Sequence, residues 1–232
     1  MKKFIALLLA LIMVMSFAAC SGDFDPAAKS EGTMTYAEYA AAELDTEVVV
    51  ECYVQATQSW WDNKISVYAQ DPDGAYFIYN MACSEEDAAK LVKGTKIKVT
   101  GFKAEFSGEI ELAEGSTFEI MEGTWVAEAL DVTELLGTDE LINHQNKFVS
   151  FKGLTVESID YKNGEPGDDI YVNISYNGAS YSFCVERYLT GPETEVYTTV
   201  GTLEAGDVID VEGFLYWYEG VNTHITSVKI AE

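Results

Sequence analysis

Apolar and polar positions alternate with a period of two along much of this chain, the mark of strands with one face in a core. In the first half the alternation predicts three strands, over residues 47 to 56 (EVVVECYVQA), 64 to 71 (KISVYAQD) and 75 to 81 (AYFIYNM). Asp71-Pro72-Asp73-Gly74 is the expected turn between the last two, with Gly accepting a positive φ and the Asp side chains bonding nearby amides. Two stretches depart from period two. Thr35 and Glu38 make a capping box that opens a short helix through about residue 43, and Ser84 caps another predicted to run through residue 92 and stop at Gly94.

Each half then carries the same pattern. Residues 94 to 102 (GTKIKVTGF) and 206 to 214 (GDVIDVEGF) share GxxIxVxGF, and both continue to an aromatic-x-Gly at the same distance, Phe106 to Gly108 and Tyr218 to Gly220. β-branched alternation bounded by glycines reads as a strand, a turn and a return strand. Upstream of the second copy, residues 147 to 158, 169 to 176 and 180 to 185 repeat the three strands, with Asn177-Gly178 as a hairpin turn. Residues 186 to 205 replace the helix by a longer insertion with strand-like composition around its threonines, and residues 131 to 136 and 138 to 145 read as short helices.

Three strands, a helix and two more strands resemble the OB-fold, carried by the turn at 71 to 76, the capped helix at 84 to 93 and the two GxxIxVxG strands. The resemblance is close over residues 35 to 122 and holds in outline over 146 to 232. It implies a mainly β protein of two tandem five-stranded Greek-key barrels, each preceded by a short helix, joined by a helical linker over 123 to 145. Short strands with regular turns also suit a single β-sandwich or another small barrel. OB-folds bind ligands on the face of strands two and three, between the loops joining strands one to two and four to five. In this sequence those loops hold Trp60 and Trp61, then Phe106, in the first half, and Tyr161, then Tyr216, Trp217 and Tyr218, in the second. Flat aromatic faces suit a sugar, a base or a peptide ring. They also close barrel ends and cover domain interfaces.

The N-terminus shows a different pattern. Lys2 and Lys3 precede an unbroken apolar run from Phe4 to Ala19 that ends in small residues before Cys20. This is a secretory signal, short of the roughly 20 apolar residues of a membrane-spanning helix. Ala18-Ala19-Cys20 resembles the lipobox of bacterial lipoproteins, which implies removal of residues 1 to 19 and acylation of Cys20. Phe17 stands where that family usually has Leu. The chain is then expected on the extracytoplasmic face of a bacterial membrane, with polar residues 20 to 34 as a flexible stalk.

Charge narrows the partners. The sequence has 14 Lys and Arg against 39 Asp and Glu, a formal charge of −25. Loss of Lys2 and Lys3 with the signal lowers it further. Such a field repels polyphosphate, so nucleic acid is disfavoured, although the OB-fold resemblance keeps single-stranded nucleic acid as an alternative.

Enzyme templates are lacking. His144 and His224 are the only histidines, and the sequence has no HExxH, GxSxG, CxxC or phosphate-cradling glycine loop. The acids around residues 71 to 74 do not make an EF-hand, because Gly74 in its glycine position would put Ala69 and Asn80 at ligand positions. Cys52, Cys83 and Cys184 read as small buried hydrophobes. The expectation is a surface-tethered lipoprotein without catalysis, metal or cofactor, whose aromatic loops take an extracytoplasmic glycan or peptide. The alternative partner is an envelope protein, with the chain as a structural or adaptor lipoprotein.

Overall fold

A computed structural model describes residues 24 to 231. The signal at 1 to 19 and the acylation site Cys20 lie outside the described residues. Among the described residues, twelve strands form two sheets, and each sheet closes on itself.

Barrel 1 comprises β1 (Glu47–Thr57), β2 (Lys64–Gln70), β3 (Ala75–Ala82), β4 (Thr95–Phe106) and β5 (Glu109–Leu112). The order β1-β2-β3-β5-β4 is closed by antiparallel pairing of β4 with β1, and β3 and β5 run parallel. This is OB topology. Val48, Val50, Val54, Ile78, Ile97 and Val99 fill the interior, as the alternation requires. The expected caps are present: Thr35 opens α1 (Tyr36–Ala41) with a full capping box, and Ser84 caps α2 (Glu85–Ala88). α2 is shorter than its sequence suggests, the chain continuing in single turns to Gly94.

A sixth strand, β6 (Thr117–Thr124), which the sequence reading did not predict, pairs with β4 and ends two residues into the expected helical linker. Next comes β7 (Leu130–Asp131), and the linker's helices are two 3-10 turns, Thr133–Leu135 and Leu141–His144.

Barrel 2 comprises β8 (Phe148–Tyr161), β9 (Ile170–Tyr176), β10 (Ala179–Val185), β11 (Val208–Phe214) and β12 (His224–Ile230), in the same closed order. The insertion at 186 to 205 is helical rather than strand-like. It forms α3 (Arg187–Thr190) and α4 (Glu195–Val200), capped by Glu186 and Thr194. Val196, Tyr197 and Val200 of α4 join the barrel core, and that burial decides against the strand propensity of the threonines.

The glycines of the repeat have matching causes. Gly94 and Gly206 take φ of +93° and +96°, and Gly101 and Gly213 lie where a neighbouring segment leaves no room for a Cβ.

Residues 24 to 34 fall within the expected flexible stalk but are bonded to barrel 1. Met34 N–H donates to the Val49 carbonyl at 2.8 Å, and Phe24 packs edge-on against Tyr53. Lys29 reaches the Glu51 carbonyl at 2.7 Å and the buried Asp71 carboxylate at 2.5 Å. Asp71 also accepts the Asp73 and Gly74 amides and the Tyr76 hydroxyl, which accounts for its place in the turn. Cys52, Cys83 and Cys184 are buried free thiols.

Candidate functional site

The face of barrel 1 where the OB-fold resemblance would put a ligand is covered by barrel 2. On the outer face of β2 and β3, Tyr68 and Phe77 are sealed beneath Phe214, with Phe148, Leu189 and Tyr216 around them. Tyr68 stacks on Phe214 with centroids 4.5 Å apart, and its hydroxyl meets His224 Nδ1 at 2.5 Å. Tyr216 lies flat on the His224 ring, 4.4 Å away. Burial holds His224 down to about 4, against the pull of Asp169. The ring is therefore neutral at pH 7.

Both flanking loops of barrel 1 grip barrel 2. In the loop between β4 and β5, Ser107 carbonyl accepts Glu219 N–H at 2.7 Å, and Glu109 accepts Trp217 N–H at 2.9 Å. Gln145 joins the two barrels by donating to Gly108 carbonyl and accepting Ile110 N–H. The loop between β1 and β2 bonds α3: Ser59 N–H donates to Tyr188 carbonyl at 2.6 Å, and Gln58 donates to Glu186 at 3.1 Å.

This arrangement sorts the aromatic residues singled out in the sequence. Trp60 plugs the end of barrel 1, its indole N–H donating to Cys83 carbonyl at 2.9 Å. Tyr216 is interface, and Trp217 is half-buried, its ring against Gly108. Tyr161 packs on the core of barrel 2, away from the others, with its hydroxyl near Gly201. Phe106 and Tyr218 meet at the interface edge, centroids 6.0 Å apart, and both stay exposed. Trp61 is 79% exposed although its neighbour is anchored.

Trp61 borders a groove of about 540 Å³ between the barrels. Lys64 and Asn80 line it from barrel 1 with Gln58 and Ser59, and Tyr79 adds a second aromatic, 41% exposed. Arg187 and Tyr188 line it from α3, with Tyr188 54% exposed and the guanidinium carbon 5.6 Å from its ring centroid. The volume suits a ligand of two or three rings. The sequence reading missed Tyr79, Arg187 and Tyr188. Two signals were there: Tyr79 follows Phe77 by two along an outward strand face, and Arg187 is the only arginine in the sequence.

Three glutamates are buried beside the interface. Burial pushes Glu109 up to about 8, against bonds from Asn146 and the Trp217 amide, and pushes Glu111 up to about 7. Glu186 is likewise raised by burial to about 7.

No protein-family model and no curated protein matches the chain. Among solved structures it is similar to a murine DNA-binding protein bound with double-stranded DNA, at TM-score 0.38 and 13% identity, covering 78% of this chain and 94% of that one. It is also similar to the Ifi202 HINa domain in complex with 20-bp double-stranded DNA, at TM-score 0.36 and 12% identity, covering 81% and 96%. A third is the p204 HINb domain, at TM-score 0.34 and 13% identity, covering 78% and 95%. At such scores nothing about a ligand passes from one chain to the other.

Proposed function

We propose that this chain is a non-catalytic binding module, lipid-anchored through Cys20, that takes an extracytoplasmic glycan or peptide in the groove around Trp61. The observation that carries the reading is the contrast within one dipeptide. Trp60 is bonded into the barrel end while Trp61 is 79% exposed above a groove that Tyr79 and Tyr188 also line. Leaving an indole in water gives up burial worth about 2 kcal/mol or more, so its presentation on an anchored loop is better explained by a ligand than by folding. Anchoring also limits the ordering cost of binding.

Gln58, Ser59 and Asn80 supply amide and hydroxyl groups for orienting a polar ligand. The lipid anchor rests on the sequence at 1 to 20. Two features favour binding without turnover: His224 is buried with its Nδ1 committed to Tyr68, and neither histidine lines the groove.

The test is titration of the full chain, wild type and Trp61→Ala, against neutral and acidic oligosaccharides, peptides, and single- and double-stranded oligonucleotides. Saturable saccharide or peptide binding that weakens about tenfold or more in the variant is expected, from the roughly 1 to 3 kcal/mol of an aromatic stacking contact. Oligonucleotide affinity falling steeply with salt would replace this reading with a nucleic-acid one. A co-purifying protein that survives Trp61→Ala would replace it with an adaptor role.

A further inference from the structure

We infer that the ligand of this groove is a saccharide bearing a single carboxylate, its sugar ring stacked on Trp61 and its carboxylate on Arg187. The inference rests on the binding reading above and narrows it. Arg187 is the only arginine in a sequence with 39 acids, yet it makes no ion pair among the described residues.

The acids around it are engaged elsewhere. Asp169 accepts the backbone N–H of Arg187 at 2.9 Å and the Lys162 ammonium at 2.8 Å. Glu186 accepts the Gln58 amide and the Tyr188 N–H. The other cation of the groove, Lys64, is paired with Glu114. Arg187 is thus exposed in an aromatic groove with its fork of donors unclaimed and its guanidinium over the Tyr188 ring. A guanidinium in this state takes a carboxylate by two parallel bonds.

A pyranose ring supplies both chemistries at the required scale. Its C–H face covers an indole, its hydroxyls reach Gln58, Ser59 and Asn80, and a carboxylate on the ring extends to the arginine. The overall charge of −25 limits the ligand to one such group, since a polyanion meets the repulsion that disfavours polyphosphate.

The experiment uses the full chain with three probes: a neutral trisaccharide, the same trisaccharide ending in one uronic acid, and a polyuronate. Arg187→Gln, Arg187→Lys and a peptide with a free C-terminal carboxylate complete it. Expected is about tenfold preference for the mono-acidic probe over the neutral one, abolished in Arg187→Gln, partly kept in Arg187→Lys, and weaker binding of the polyuronate as salt is lowered. Equal binding of acidic and neutral probes, unchanged in Arg187→Gln, overturns the inference and leaves the binding reading standing. Preference for the peptide assigns the carboxylate to another class of ligand and also overturns it. If no probe binds, both this inference and the reading it rests on fail.

Discussion

The two barrels share a topology and a strand repeat but use the same outer face in opposite ways. In barrel 1 the β2–β3 face carries Tyr68 and Phe77 and lies beneath barrel 2. In barrel 2 the β9–β10 face carries Asn173, Ser175, Ser180 and Ser182, held by local bonds such as Asn173 to Ser158 at 2.9 Å and Ser180 to Glu157 at 3.0 Å. The aromatic face needed a cover, and the adjoining barrel supplies it. The rim stays open, where Trp61 and Tyr79 project beyond the covered patch and α3 closes the other side.

Breaking the cover should have the largest effect. Tyr68→Ala removes a fully buried ring from between Phe77 and Phe214 and leaves His224 Nδ1 without its partner. The expected cost is about 4 kcal/mol, within the range for buried aromatic truncation. It should also separate the barrels, turning one calorimetric transition into two. A fragment change of the same kind on the open face, Asn173→Ala, should stay within about 0.5 kcal/mol, as surface substitutions do. If Tyr68→Ala keeps a single transition at wild-type temperature, the Tyr68 stack is not what holds the barrels together.

The glycine repeat sharpens the comparison. A Cβ on Gly213 would lie 2.3 Å from the His224 carbonyl oxygen, which is backbone of β12. At Gly101 the atoms met belong to Ser116, its hydroxyl at 2.0 Å and its Cβ at 2.8 Å; the hydroxyl can rotate away at the expense of its bond to Ala113 carbonyl, and the loop residue itself must shift slightly to clear the Cβ. Gly213→Ala should cost about 3 kcal/mol and Gly101→Ala about 1, measured by urea denaturation. The pair also shows how far sequence carries. Strand, turn and glycine spacing were legible because they follow from local sterics and period two. The helical fate of residues 186 to 205 was not, because it depends on Val196 and Tyr197 finding a core made by distant strands. Likewise, the sequence placed aromatic residues in the loops flanking the β2–β3 face, but only the interface shows that Tyr216 packs over that face and that Trp217 lies against Gly108. The groove itself depends on α3 meeting the β1–β2 loop across more than a hundred residues of chain.

The covered face should also leave a signature in pH. Glu109, Glu111 and Glu186 have folded pKa values raised by burial to about 8, 7 and 7 from 4.5. Above about pH 4.5 the unfolded chain releases protons that these folded groups keep. Their contribution is therefore full only below about pH 4.5, falls steadily above it and is gone once pH has passed the folded values near 7 to 8. His224 acts in the opposite sense: its pKa is lowered to about 4, so its contribution is present above about 6.5 and is lost as pH falls toward 4. Between pH 6.5 and 8 these three carboxyls dominate the change, so stability should fall across that interval by about 3 kcal/mol. Glu109→Gln tests the source. Glutamine keeps the shape of the neutral acid and cannot ionise, so this variant should match wild type near pH 5 and exceed it at pH 8. A wild-type profile flat from pH 5 to 8, or a Gln variant with the same slope, would mean that these carboxyls reach solvent and that the cover between the barrels is looser than its bonds imply.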